Sequence, residues 1–445
     1  MKKIILNSEL TRRSFVKGSA LATGGIIAGS TLGIGSSAFG AGKDTLKLAV
    51  IGCGGRGTGA VRQALTADEG VELVAMADAF QDRLDNCYDA LSKVFDKKRL
   101  NVKDDHKFTG FGGYKQAIDL ADVVILTTPP GWRPEHFEYA VNQGKHVFIE
   151  KPVATDAPGV RRVLAAAKKA KEKKLNVVAG LQRHYQDNYR EIYKRLQAGE
   201  IGEIRAGQVY WNSGGVWVRE REANQTEMEY QMRNWYYFNW LCGDHILEQH
   251  IHNIDVANWF IGSTPVTAQG MGGREVRKGK DHGQIFDHHF VEFEYESGAV
   301  VASQCRHIQG CLGRVSETFQ GTKGKVTTDG GGNAHMTRLD GSEIYRHDPS
   351  DDITPYQIEH NELFAAIRKG EVISNGEFVA HSTMTAIMGR MATYSGKLIT
   401  WEEALNSNQT LAPVELGLTW DSKPPVMPDA DGLYPIPVPG QTEVL

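Results

Sequence analysis

At 445 residues, 41% hydrophobic and 23% charged, the chain has the composition of a globular enzyme too long for one core, which predicts two domains. Its net charge of −4, with acids and bases interspersed, excludes a nucleic-acid-binding surface.

Thr11-Arg12-Arg13-Ser14-Phe15-Val16-Lys17 reads as a twin-arginine export address. The stretch behind it, residues 18–41, is rich in Gly, Ser and Ala and only mildly apolar, and Ala38 and Gly40 supply small residues for a cut. We expect a signal peptide over residues 1–40, an exported or periplasmic destination and no stable membrane insertion; a permanent N-terminal anchor is the alternative reading. Proteins on that route fold before export, so any cofactor such a chain binds travels inside. With no pool outside the cytoplasm to exchange with, it should be tightly bound. The five cysteines form no CxxC pair, and folding before export lets them stay thiols.

Residues 44–180 alternate strand-like and helix-like segments: strands at Leu46–Ile51, Val71–Asp78, Ala121–Pro130, His146–Pro152 and Leu175–Gly180, helices at Gly57–Thr66, Glu135–Gln143 and Ala157–Lys174. Such alternation predicts an α/β fold with a parallel sheet wrapped by helices. From 181 to 408 the texture changes to alternating segments, Ile204–Trp211, His288–Ser297 and Ala299–Ile308, which suggest a large, mostly antiparallel sheet. Residues 212–239 read as an irregular aromatic insertion, and two helices are expected near Ile358–Lys369 and Ser382–Lys397. Residues 409–445 form a proline-rich tail.

The first strand runs into Gly52-Cys53-Gly54-Gly55-Arg56-Gly57, a loop that seats a pyrophosphate on a helix N-terminus. Asp78 ends the next strand, where a carboxylate binds both adenosine ribose hydroxyls and favours NAD. Arg56 offers a phosphate contact that leaves NADP open, and Asp78 as an ordinary turn residue is the plainer alternative. Glu150-Lys151-Pro152 puts a cation at the carboxyl end of the sheet, able to polarise a hydroxyl or carbonyl; a surface lysine paired to Glu150 is the other reading. In Gly243–Asp255, read as one helix, Glu248, His252 and Asp255 share a face at i, i+4 and i+7, with His245 close to it and His250 elsewhere. Glu248 would orient the His252 ring, which then removes a hydroxyl proton. Core histidines, or a metal site drawn from His245, His250, His252 and Glu248, are the alternatives.

Together these residues resemble the glucose–fructose oxidoreductase/inositol dehydrogenase/rhizopine-catabolism (Gfo/Idh/MocA) family. The likeness rests on AVIGCGGRG, on ILTTPP with the later His136, on EKP, and on the spacing of His252 and Asp255. It implies a Rossmann dinucleotide-binding domain followed by a substrate and oligomerisation domain with an open sheet, hydride transfer with a carbohydrate or cyclitol, and a homodimer or homotetramer. It also implies Lys151, His252 and Glu248 as catalytic residues, Glu248 standing where the dehydrogenases usually have Asp. Thr127, Thr128, Pro129, Trp132, Arg133, His136 and Glu150 join the glycine loop and Asp78 as cofactor contacts. Arg183, His184, Trp235, Tyr236, His245 and Asp255 are the candidate substrate contacts, the aromatics being suited to stacking on pyranose faces. A hydrophobic core or subunit interface is the competing use of those aromatics. Two chemistries stay open: net oxidation of a hydroxyl carbon, or a redox-neutral NAD-dependent glycosidase that oxidises C3 transiently, eliminates, hydrates and re-reduces.

Overall fold

The computed structural model describes residues 45–412 and 417–445, so the export address and leader expected over residues 1–40 lie outside the described residues. β1 (Leu46–Ile51), β2 (Val71–Asp78), β3 (Lys107–Thr109), β4 (Val123–Leu126), β5 (His146–Ile149) and β6 (Val177–Ala179) form a six-stranded sheet in the order β3-β2-β1-β4-β5-β6. Every neighbouring pair is parallel. β4 and β6 are wholly buried apolar runs, and β5 is buried throughout with His146 as its one polar residue, as a sheet covered on both faces requires. The order reverses between β1 and β4, and a ligand crevice opens at such a switch point. The helix Ala157–Glu172 shows how local sequence sets this layer. Asp156 caps its start through Gly159 N at 2.8 Å, a proline sits in its first turn, and Lys169 and Lys171 end it.

A nine-stranded second sheet contains β7 (Ile204–Ser213), β8 (Pro265–Gly273), β9 (His288–Tyr295), β10 (Val300–His307), β11 (Arg314–Gly321), β12 (Gly324–Asp329), β13 (Ala334–Arg338), β14 (Glu343–Arg346) and β15 (Ile399–Thr400). Its order is β14-β13-β12-β11-β7-β10-β9-β8-β15, with β7 and β10 parallel and the other pairs antiparallel. The fold is therefore α/β, a Rossmann sheet followed by a mixed, mostly antiparallel one. The helix Gly376–Ser395, buried along nearly its whole length, links the two. Thr393 meets His289 of β9 at 2.9 Å, while Thr383 accepts from Val153 N beyond β5 at 3.2 Å.

Three features depart from a reading in chain order. The helix Pro355–Lys369 returns to the first domain: Gln357 donates to the Gln63 carbonyl at 3.0 Å and Arg368 pairs with Asp68 at 2.7 Å. Residues 373–375 then bond along β6 and cover its edge. The aromatic insertion is not irregular throughout; it holds a helix, Glu227–Arg233, capped by Thr226. Its Tyr230, Tyr236 and Tyr237 pack into one apolar cluster with Phe80 and Trp132 of the first domain. The tail is extended but held: Leu411 N and Ala412 N donate to Asp156 at 2.7 and 3.2 Å, and Val444 is buried. All five cysteines are free.

Candidate active site

The glycine loop is tight beneath and open above. Gly52 has φ +97°, and a Cβ there would lie 2.6 Å from Thr128 N; one on Gly57 would lie 2.0 Å from the Gly52 carbonyl oxygen. Above Gly54 and Gly55 nothing lies within 4 Å. This is the shape a pyrophosphate needs, with free N–H groups of the helix Gly55–Ala67 facing it. The loop forms one end of a cavity of about 550 Å³ between the two domains. Asp78 lines it, its two oxygens accepting from Cys53 N at 2.6 Å and Phe80 N at 3.0 Å. Burial raises the Asp78 pKa, these donors oppose the rise, and the remaining lone pairs can take ribose hydroxyls.

Thr127, Thr128, Pro129, Trp132, Arg133, His136, Glu150 and Lys151 all border the same cavity. Thr127 Oγ1 bonds the Gly52 carbonyl at 2.7 Å, and Thr128 Oγ1 meets His136 Nδ1 at 3.2 Å. Burial, and then the Arg133 charge, lowers the His136 pKa to about 3. Trp132 offers a buried Nε1 without a partner. Two cations expected at the cofactor are already engaged. Arg56 bonds Glu150, lies 3.5 Å from Glu359 and sits against Phe148 and Tyr356. Its charge is thus matched by two carboxylates and not presented to a phosphate. Arg133 is buried and donates to the Pro152 carbonyl.

Lys151, Glu248 and His252 line the same cavity, but not as one helical face. The helix is broken into His245–Glu248 and Ile251–Ile261, with Gln249 and His250 between. His252 N turns to the Gln249 carbonyl at 3.5 Å, and the Glu248 carbonyl instead accepts from Lys151 Nζ. Lys151 Nζ also stands 3.7 Å from Glu248 Oε1, leaving Oε2 without a partner. Glu248 therefore pairs with Lys151 and does not orient His252. The His252 ring stacks on Trp211 at 5.8 Å, and its buried Nδ1 has no partner. Burial first, then Lys151 and Arg183, hold the His252 pKa well below the usual value, so the imidazole is neutral. Burial raises the Glu248 pKa, against Lys151 and Arg133.

Of Arg183, His184, Trp235, Tyr236, His245 and Asp255, only Trp235 lines the cavity. Arg183 is buried against Glu317. His184 bonds Asp255 at 2.8 Å between the rings of Trp259 and Phe378, and Ser382 donates to the other Asp255 oxygen at 2.7 Å. Tyr236 is buried and stacks on His307. His245 is buried beside Asp244, its Nδ1 2.8 Å from that carboxylate, and burial lowers its pKa to about 4. Arg183, His184, Tyr236 and Asp255 are drawn into a core by buried partners distant in the sequence, and His245 by its neighbour Asp244.

The four candidate metal ligands also disperse, His250 bonding Ser303 at 2.7 Å. A different trio, Asp244, His245 and His289, has ligand atoms within 4.8 Å. Asp244 there accepts from Tyr394 at 2.6 Å and Phe286 N at 2.9 Å, and the Arg277 guanidinium comes 3.4 Å from His245 Nδ1. That charge opposes a cation, and we read the group as a hydrogen-bonded hub.

Sequence reasoning singled out Trp211 and Gln182 as further candidate substrate contacts, and both line the cavity; it missed the Phe80, Phe111 and Tyr114 wall, Arg83 and Gln249. Phe80 follows Asp78 by two residues, a signal in hand; Phe111 carries none.

Residues 46–178 match the family model described as "Oxidoreductase family, NAD-binding Rossmann fold", and residues 189–327 match "GFO/IDH/MocA C-terminal domain". The chain is similar to the inositol 2-dehydrogenases of Serratia proteamaculans (29% identical over 258 residues, 57% of this chain) and Klebsiella pneumoniae strain 342 (28% over 261 residues, 58%). These matches span 65% and 66% of the relatives' own lengths. Among solved structures, aldose-aldose oxidoreductase from Caulobacter crescentus complexed with glycerol is similar in fold, with TM-score 0.62 and 18% identity over 80% of this chain and 99% of that one. Levoglucosan dehydrogenase in complex with NADH and levoglucosan has TM-score 0.63 and 16% identity, with the same coverage.

Proposed function

Because the chain belongs to the Gfo/Idh/MocA oxidoreductase family, we propose that it is an NAD-dependent oxidoreductase acting on a hydroxyl carbon of a sugar, glycoside or cyclitol. The observation that carries this reading is that the Lys151–Glu248 pair and His252 line the same cavity as the glycine loop. Bound NAD would supply the hydride acceptor, held by Gly52–Gly57, Asp78 and Thr127–Thr128. Neutral His252 accepts the hydroxyl proton, and Lys151, anchored on the Glu248 carbonyl, donates to the developing oxygen charge. Trp211, Trp217 and Trp235 supply aromatic faces for a pyranose or cyclitol ring. The names of the inositol 2-dehydrogenases and of levoglucosan dehydrogenase support that substrate class.

Asp78 favours NAD over NADP, and Arg56 is too fully paired to recruit a second phosphate. The leader motif supports export to the periplasm with the cofactor held tightly. The uncovered face of the second sheet, where Phe290 and Met271 are exposed on paired strands, supports a homodimer or homotetramer. The redox-neutral glycosidase is favoured by one observation, the free Glu248 Oε2 on a carboxyl whose pKa is raised. With His252 it makes two proton-handling groups in one cavity, as elimination and rehydration require.

The test is to denature the purified protein, identify any released nucleotide, and assay sugars, cyclitols and aryl glycosides without added NAD. NADH that accumulates stoichiometrically supports the oxidoreductase; hydrolysis without net NADH supports the glycosidase. Absence of nucleotide, of NAD binding and of both activities refutes both.

A further inference from the structure

Beyond Asp78, the wall of the cavity is made by Phe80 and Phe111. A residue from the other end of the chain supports both from behind. Trp420 of the tail stacks on Phe80 with centroids 4.8 Å apart and planes 26° apart, and meets Phe111 at 4.7 Å and 52°. The cavity side of Phe80 is gripped as well, with the Arg233 guanidinium 3.8 Å from the ring centroid and bonded to Asp82 at 2.8 Å. Arg233 and Met232 border the cavity from the second domain. The tail is fastened to the same short helix: Thr226 donates to the Trp420 carbonyl at 2.6 Å, and Gln231 donates to the Val426 carbonyl at 2.7 Å. Wall and roof over the nucleotide end are therefore riveted to one strap.

We propose that Trp420 is a positioning residue that sets the release rate of the dinucleotide: the tail clamps Phe80 and Phe111 beneath the helix Glu227–Arg233. This rests on the reading that NAD occupies the cleft, with its adenosine half beside Asp78. A nucleotide leaves only when that helix lifts from the Phe80 wall, and each lift breaks aromatic contacts made through Trp420.

The experiment follows NADH fluorescence during displacement by excess NAD, together with the nucleotide content of desalted protein. Trp420→Gly is expected to release NADH about ten-fold faster than wild type and to lose nucleotide on desalting. Trp420→Phe should recover most of the retention. Ile436→Ala, on an exposed part of the tail, should hold nucleotide as wild type does. Should Trp420→Gly fail to fold, Trp420→Leu, which keeps bulk without stacking, makes the same comparison. Wild-type release rates in the Trp420 variants, with only a lowered Tm, overturn the strap and leave the cofactor reading standing. Wild-type protein that neither carries nor binds NAD(H) overturns both.

Discussion

Replacing Arg183 with Met should destabilise the protein while leaving its handling of substrate untouched. Arg183 and Glu317 form an ion pair with side chains 3% and 0% exposed. Removing the cation strands a carboxylate that still accepts from Tyr189 and Thr328 at 2.8 Å and from Asn253 at 2.5 Å. Breaking one side of a buried pair costs about 3–5 kcal/mol. The three remaining donors favour the lower end, about 3 kcal/mol, or about 6 °C in Tm for domains of this size. Arg183→Met/Glu317→Gln removes the stranded charge and should recover most of that loss. Acid should narrow the gap between Arg183→Met and wild type, because protonating Glu317 relieves the same penalty. The assays are thermal unfolding of both variants and steady-state KM with saturating NAD. A Tm within 1 °C or so of wild type, with a ten-fold or so rise in KM, would place Arg183 on the ligand and refute the assignment.

Lys151→Ala and His252→Ala should each lower kcat/KM by about 10²–10⁴-fold with nucleotide still bound; full activity in either variant would sink its catalytic role. Gly57→Ala forces a Cβ to 2.0 Å from the Gly52 carbonyl oxygen, so an NADH titration should show binding lost, and near-native affinity would contradict the loop geometry. Stability should fall with acid, because burial lowers the pKa of His136 and His250 to about 3 and of His245 to about 4. The unfolded chain then binds more protons than the native one. Stability is complete above about pH 7 and declines as pH falls from about 6.5 toward about 4, by about 1.4 kcal/mol per pH unit for each imidazole. Equal Tm values at pH 7.5 and pH 5.5 would contradict this.

The parallel sheet was legible because its strands are buried on both faces and therefore read as short apolar runs between glycine turns. The glycines, Asp78, Lys151, Glu248 and His252 were legible as residues of one cavity because each sits at a strand end or beside a loop. The relation between Glu248 and His252 was not. Periodicity reports the faces of an ideal helix, and here a lysine from β5's end takes the Glu248 carbonyl that would have continued it. Arg183, His184 and Asp255 carry the polar chemistry expected of ligand contacts; only their buried partners, 71 to 134 positions away in the chain, show otherwise. Phe111 and Trp420 meet across more than half the chain, a distance no local pattern spans.

The return of the helix Pro355–Lys369 to the first sheet bears on how the protein is made. Arg56 in the glycine loop finds Glu359, and Asp68 finds Arg368, only after some 300 intervening residues have been synthesised. At about 5–20 residues per second, that is about 15–60 s on a ribosome during which the nucleotide-binding half lacks part of one helical layer. A nascent first domain therefore waits, incomplete, for the chain's far end. Expressing residues 45–180 alone would leave the Glu150–Arg56 pair without its third member and expose the part of one sheet face that Leu363, Phe364 and Ile367 cover.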